Sequence, residues 1–254
     1  MRELNIEKET ERIVQFIKNK VTGSGFTKAI IGLSGGIDSA LSAALAVKAL
    51  GKENVIGVMM PYKSSNPDSL EHALILAKEL DIPFFIIDIT PMVDAYLTNY
   101  ANDANTLRMG NFMARTRMCV LFDLSAKYRA LVVGTSNKSE IYSGYCTQFG
   151  DSACAFEPLA HLFKHEVYKM SKLLNIPSQI LEKKPSADLW EGQTDEEELG
   201  IGYDLLDEIL YQILDKKKSD EEILSSSISK EKLDLVKKKI QQSEFKRHLP
   251  DMLD

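Results

Sequence analysis

The stretch KAIIGLSGGIDSALSAALAVKAL, residues 28–50, decides the fold. It opens with a short apolar run rich in isoleucine, as a buried strand requires, and closes with ALSAALAVKAL, strong helix formers with no internal Gly or Pro. Between them lies a glycine-rich turn: Gly32, Leu33, Ser34, Gly35, Gly36, Ile37, Asp38 and Ser39. A turn of this kind lets successive backbone N–H groups converge on an anion, and the helix N-terminus adds the positive end of its dipole. Ser34 and Ser39 bring hydroxyl donors, and Ser39 can also cap the helix. Asp38 would repel a phosphate unless a divalent cation such as Mg²⁺ bridges the two. The plain alternative is an ordinary strand-to-helix turn with two glycines and an N-cap. No GxxxxGK[ST] P-loop and no GxGxxG dinucleotide turn follows a strand here.

Working outward, Gly51 stands at a C-cap position, NVIGVMMP reads as a second strand, and YKSSNPDS as a loop. A helix through Leu70, Leu74, Ala77 and Leu80 leads to PFFIIDI, a third strand. A helical stretch over Val93–Tyr100 and a long helix over roughly Arg108–Tyr128 precede ALVVG, Ala130–Gly134, a fourth buried strand. Strands alternating with helices specify an α/β fold with a doubly wound, mostly parallel sheet. Ligands bind such sheets beyond the carboxyl ends of the strands, where the first strand meets its oppositely wound neighbour. Asp38 follows the first strand and Glu140 follows ALVVG, so adjacency of those strands would bring both carboxylates to one metal. Thr135 to Pro158 shows no clean periodicity, and a loop of that length is usually functional. A helix over Lys164–Leu174 follows, with Val167, Met170, Leu173 and Leu174 on one face. Ahead of the first strand, Ile6, Ile13, Phe16 and Ile17 mark an amphipathic helix ended by Gly23 and Gly25.

The segment Ser186–Gly200 is acidic and poor in apolar periodicity, which predicts a weakly buried lid. Trp190 within it reads either as a local anchor or as part of that lid. Beyond it, DLLDEILYQIL and KEKLDLVKKKI are helical, giving one domain over 1–254 with a helical C-terminal extension from about 195. The lysine runs 216–218 and 237–239 sit beside acids and read as solvated faces.

Lys plus Arg is 31 against 37 Asp plus Glu, a net charge of −6, which argues against a nucleic-acid-gripping surface. A hydrophobic content of 44% with 27% charged residues excludes disorder. Three cysteines, Cys119, Cys146 and Cys154, share no CxxC spacing, so a reducing compartment and no disulfide framework are expected. The charged opening MRELNIEKETERIVQFIKNK lacks a signal peptide's apolar core, and no apolar run is long enough to span a membrane. A cytoplasmic protein with no membrane partner is expected. His161 and His165 are four apart and could meet on a helix, but no third ligand accompanies them.

SGGIDS resembles the SGGxDS loop of the PP-loop ATP pyrophosphatases, enzymes of adenine nucleotide alpha-hydrolase-like fold that cleave ATP to AMP and pyrophosphate while adenylating an oxygen. Within that superfamily GNFMARTRM, GTSNKSE, GDSACAFEPLAHLFK, KPSADLWEGQTDEEELG and the late EFK, in this order, resemble the NAD synthetases. A chain that opens so shortly before SGGIDS holds no glutamine-hydrolysing domain, so the resemblance implies the ammonia-dependent form. It further implies that Gly32 through Ser39, Thr135, Lys164 and Ser186 hold ATP, with Asp38 and Lys164 in the catalytic centre. Mg²⁺ would sit on Asp38 and Glu140, and the dinucleotide substrate on Arg115, Gln148, Phe245 and Lys246. Gln148 stands where a Lys is common, Ala155 where an Asp is common, and Phe245 where many relatives have His.

Arg115 and Arg117, two apart on a helix, point to nearly opposite faces. Arg115 shares its face with Cys119 and Phe122, which predicts Arg115 as the inward one, against its reading as an ordinary surface charge. The reaction implied is adenylation of the nicotinate carboxylate of deamido-NAD by ATP, then attack by ammonia to give NAD and AMP. A homodimer is implied by the family alone. The alternatives are another PP-loop enzyme, GMP synthetase-like or tRNA-modifying, and a non-enzymatic nucleotide-sensing module. The acidic balance disfavours tRNA.

Overall fold

The computed structural model describes residues 1–186, 188–190, 192–248 and 252. Ala187 and Glu191 of the expected lid, and most of the last six residues of the C-terminal extension, lie outside them. Asn5 caps helix α1 (Ile6–Gly23), which buries Ile13, Ile17 and Val21. The apolar run that follows is β1 (Lys28–Gly32), with Ala29, Ile30 and Ile31 wholly buried. Helix α2 (Ile37–Leu50) ends on Gly51 at φ +86°, a conformation that glycine adopts without Cβ strain. Strand β2 (Val55–Met59) is buried throughout, and α3 (Pro67–Glu79) starts at an Asn66 cap with proline in its first turn. Strand β3 (Phe84–Ile86) is shorter than PFFIIDI predicts. It lies at the edge of the sheet, pairs among the described residues only with β2, and leaves Phe84 36% and Ile86 49% exposed. Helices α4 (Thr90–Tyr100) and α5 (Thr106–Tyr128) lead to β4 (Ala130–Val132).

The sheet order is β3-β2-β1-β4 and every pairing is parallel. The chain therefore winds outward one way from β1 to β3, then crosses back to place β4 on the other side of β1. That is the predicted switch point. Alternation along β1 feeds two layers. Ala29 and Ile31 pack with Ile13, Ile17, Leu41, Leu45, Leu76, Val167 and Met170, while Ile30 packs with Ile56, Val58, Val93, Met113, Leu124 and Val132. Each such fully buried aliphatic side chain contributes about 1.5–3 kcal/mol.

The stretch read as one long loop after β4 contains a helix, α6 (Lys138–Ser143), begun by a capping box between Asn137 and Glu140. Helix α7 (Lys164–Leu173) returns to the α1–α2 layer, followed by the short α8 (Ser178–Leu181) and α9 (Asp195–Leu199). The C-terminal helices are α10 (Tyr203–Leu210), which runs into a π turn over Tyr211–Asp215, α11 (Asp220–Leu224) and α12 (Lys230–Gln242). They form a third apolar cluster, with Leu206, Ile209, Leu210, Leu233 and Val236 around Phe163, and α10 packs on α6 and α7.

The weak burial expected of residues 186–200 is found at Gly192, Glu196, Glu197, Glu198 and Gly200, which are exposed, but not throughout. Gln193, Asp195 and Leu199 are buried. The Leu189 side chain lies so close to Gly110 that a Cβ there would stand 2.9 Å from it. The Asp188 carboxylate accepts hydrogen bonds from the Asn66 N–H and the Ser69 hydroxyl. Apolar periodicity registers none of these polar fastenings.

Candidate active site

The glycine-rich turn hangs from the carboxyl end of β1. Ser39 Oγ accepts from the Ser34 N–H at 3.2 Å and donates to the Gly36 carbonyl at 3.0 Å. Ser39 is therefore a brace within the turn. The helix cap is Gly36, because α2 begins at Ile37, two residues before Ser39. Gly35 sits at φ +74°, and a Cβ on it would lie 2.1 Å from the Ser69 carbonyl oxygen.

Asp38 rises in the first turn of α2, and Glu140 in the first turn of α6 beyond β4. Because β1 and β4 are paired, these two carboxylates come within reach of one group. The group joining them is the ammonium of Lys164, the first residue of α7, with only 2% of the residue exposed. Its Nζ donates to Asp38 Oδ2 at 2.6 Å and to Glu140 Oε1 at 2.9 Å. Asn137 completes the set, donating from Nδ2 to Asp38 Oδ1 and from its backbone N–H to Glu140 Oε2. Burial and then the neighbouring Asp38 charge push the Glu140 carboxyl up to about 8. Burial opposes the Lys164 charge, but Asp38 and Glu140 outweigh it and hold the ammonium well above the usual lysine range.

A fully buried carboxylate underlies this set. Asp207 of α10 accepts from Ser139 Oγ, from the His165 backbone N–H at 3.0 Å, and pairs with His165 Nδ1 at 2.9 Å. Ser139 and His165 are the chain neighbours of Glu140 and Lys164, so one side chain of the C-terminal extension sets the spacing of both. Next to Thr135, Gly134 is covered by Glu157, whose carboxyl group would stand 2.2 Å from a Cβ there. Glu157 accepts from the Ser136 N–H, and burial pushes its carboxyl up to about 7.

Asp38, Glu140 and Lys164 line one cavity of about 900 Å³, of the size that small-molecule sites take. The turn residues Gly32, Leu33, Ser34, Gly36, Ile37, Asp38 and Ser39 face it, as do Thr135, Glu140, Lys164, Ser186 and Lys246. Trp190 is also on its wall. Arg115, Gln148 and Phe245 are not among the cavity's lining residues. They form a bonded chain beside it: the Arg115 guanidinium donates to the Gln148 carbonyl at 3.2 Å, and Gln148 Nε2 to the Phe245 carbonyl at 3.4 Å. Lys246 Nζ donates to the Gly144 and Cys146 carbonyls at 2.8 and 2.7 Å.

The inward reading of Arg115 is corrected. Its face is the solvent face of α5, where Cys119 is exposed and Phe122 is 41% exposed. Arg117 points inward, donating from Nε to the Met60 carbonyl at 3.0 Å and lining the cavity. Met113, Ala114 and Leu121, three or four residues from Arg117, share its face. Asp195 and Asp207 were also missed; both lie on the same helix face as buried apolar residues of α9 and α10. The two histidines do not converge: His161 pairs with Glu9 and His165 with Asp207. Among the described residues no group of three His, Cys, Asp or Glu side chains is placed to hold a metal. The cysteines are free, and burial pushes the Cys146 thiol up to about 11, away from nucleophilic use.

The family model NAD synthase matches residues 9–250. An NH3-dependent NAD(+) synthetase from Fusobacterium nucleatum is 52% identical over 248 residues, 98% of this chain and 96% of that relative. Among solved structures, an NH3-dependent NAD synthetase from Campylobacter jejuni, in complex with the nitrate ion, superposes with a TM-score of 0.84 at 37% identity. An NMN synthetase from Francisella tularensis does so with a TM-score of 0.89 at 33% identity. Each alignment covers 99% of this chain and 100% of the neighbour. With the SGGIDS turn at the switch point of a matching fold, and likeness running through almost every residue, the chain belongs to the NAD synthase family.

Proposed function

We propose that this chain amidates deamido-NAD with ammonia at the expense of ATP, giving NAD, AMP and pyrophosphate through an adenylated intermediate. The observation that carries this reading is the convergence of Asp38 and Glu140 on Lys164 inside the cavity that the SGGIDS turn faces. No covalent nucleophile from the protein is required. ATP lies along the turn 32–39, with Thr135 and Ser186 on either side. Lys164 neutralises charge that develops on the phosphates, and the walls keep water from the acyl adenylate. Catalysis is then alignment of the carboxylate oxygen with the α-phosphorus.

Mg²⁺ suits the residues present. Asp38 and Glu140 are hard oxygen donors close enough to share one ammonium. Asp38 and Glu140 would hold the ion, and when bound it offsets the negative charge of the ATP phosphates. Lys246, joined to the Arg115–Gln148–Phe245 chain beside the cavity, holds the dinucleotide away from the reacting carboxylate.

The chain works as a cytoplasmic homodimer in this reading. Among the described residues, no helix is long and apolar enough to cross a membrane. On α4 and α5 an aromatic face stays exposed: Tyr96 stacks on Phe112 at 4.4 Å, with Tyr100 81% and Leu107 64% exposed beside it. Two copies of that face would bury it. Sedimentation is expected to give a dimer that Tyr100→Glu with Leu107→Glu converts to monomer; a monomer before substitution would refute the dimer.

With MgATP, deamido-NAD and ammonium, the purified chain is expected to form NAD, AMP and pyrophosphate in equal amounts, and no NAD from glutamine once free ammonia is scavenged. Likeness to the NMN synthetase favours one competing acceptor, the corresponding nicotinate mononucleotide. The ratio of kcat/KM for the two acceptors decides between them. Failure of every acid acceptor to yield AMP would leave a nucleotide-sensing module.

A further inference from the structure

Asp195 opens α9 and is only 3% exposed. Its Oδ2 accepts the Tyr203 hydroxyl at 3.0 Å, and its backbone N–H is held by the Pro185 carbonyl at 3.1 Å. Its Oδ1 is buried and has no hydrogen-bond partner among the described residues, yet the residue lines the cavity. A buried carboxylate oxygen without a donor is costly, and such an atom in a functional cavity marks where a donor belongs. We infer that Asp195 holds the ammonium ion whose nitrogen becomes the amide: Asp195 takes one proton to free the nitrogen lone pair, the C–N bond forms as the bond from the acyl carbon to the AMP oxygen breaks, and the second proton leaves with AMP.

Three properties of the surroundings select this occupant. The donor must be small, because the oxygen it serves is out of reach of bulk solvent. It suits a cation: the oxygen belongs to a buried carboxylate, and the nearest ammonium, that of Lys164, is hydrogen-bonded to Asp38 and Glu140 instead. And it suits hydrogen bonding better than chelation. A divalent metal demands several oxygens at about 2.0–2.6 Å, and Asp195 Oδ2 is already taken by the Tyr203 hydroxyl. Ammonium needs only acceptors at hydrogen-bond range and gains from aromatic faces. The Tyr203 ring already draws one ammonium, with Lys164 Nζ 5.0 Å from its centroid. Lys164 spends its hydrogen bonds on Asp38 and Glu140, leaving Asp195 Oδ1 for the second cation. Asp195 is thus a substrate-binding residue placed beside the carboxylates that flank the adenylation.

The inference rests on ammonia being the nitrogen donor, and the test separates the two. Pyrophosphate formed from MgATP and deamido-NAD before any ammonium is added reports adenylation alone. In Asp195→Asn the KM for ammonium is expected to rise by about tenfold or more, the loss that follows from removing a charged hydrogen-bond partner, with that first burst of pyrophosphate retained. An ammonium KM within twofold of the unaltered protein, or a burst lost in proportion to NAD formation, would overturn it. Should the variant fold poorly, potassium, close to ammonium in size, is expected to compete with ammonium in the unaltered enzyme. Inhibition that ammonium cannot relieve, or none at all, would equally overturn the assignment.

Discussion

Lys164→Met is expected to bring NAD formation down by about a thousandfold or more, since a preorganised charge at a transferring phosphoryl group has that order of effect. The same change removes the ammonium bonded to Asp38 and Glu140 and strands two carboxylates in a site where Lys164 itself is 2% exposed. Breaking a buried ion pair from one side costs about 3–5 kcal/mol, which for a chain of this length lowers Tm by about 10 °C. Glu140 takes up a proton to relieve part of this, because burial and Asp38 already raise its carboxyl to about 8. Asp38→Asn and Glu140→Gln are expected to stop turnover with the fold intact. Adding Asp38→Asn to Lys164→Met should restore melting temperature in part and activity not at all. Thermal unfolding and AMP release measured on the four variants check this, and a Lys164→Met protein that melts with the wild type would contradict it.

Gly35→Ala should be nearly as damaging through sterics alone. The residue combines φ +74° with a Cβ position 2.1 Å from the Ser69 carbonyl oxygen, and that neighbour is backbone at the start of α3. No side-chain rotation relieves such an overlap, so either the turn or α3 must move, together with the Asp188 and Lys183 contacts that Ser69 makes. The rate of NAD formation is expected to fall by about a hundredfold, the cost of a 1 Å misplacement of reacting groups. Gly25→Ala, at φ +75° but with nothing within 4 Å of the added Cβ, supplies the control for strain without overlap. Equal losses in the two variants would show that the close approach to Ser69 is unimportant.

The turn at 32–39 was legible because glycine, serine and aspartate there each answer a separate physical demand, in a strand–turn–helix context that the flanking apolar runs announce. The meeting of Asp38 and Glu140 was legible as a consequence of winding order, since adjacency of β1 and β4 follows from the switch point. What joins them was less so. Lys164 could be matched to a family role, but nothing in its spacing says that its ammonium bridges two carboxylates 126 and 24 residues away. Helix α6 escaped because six residues are too few for periodicity, although Asn137 and Glu140 stand at capping-box spacing. Arg115 and Arg117 were separable as opposite faces but not as inside and outside. α5 buries a stripe of small and sulfur-bearing residues, Gly110, Met113, Ala114 and Thr116, that hydropathy scarcely distinguishes from its other face.

Asp207 belongs to α10, yet it fastens the neighbours of Glu140 and Lys164, and Ser243 and Lys246 close on the loop that follows α6. Chains emerge from the ribosome in order, and N-terminal parts fold first. The sheet and its glycine-rich turn can form while the last fifth of the polypeptide is still being made. The carboxylates and lysine that would spend ATP gain their spacing only when that remainder arrives. A chain that stops short of α10 would lack the carboxylate that fastens both neighbours.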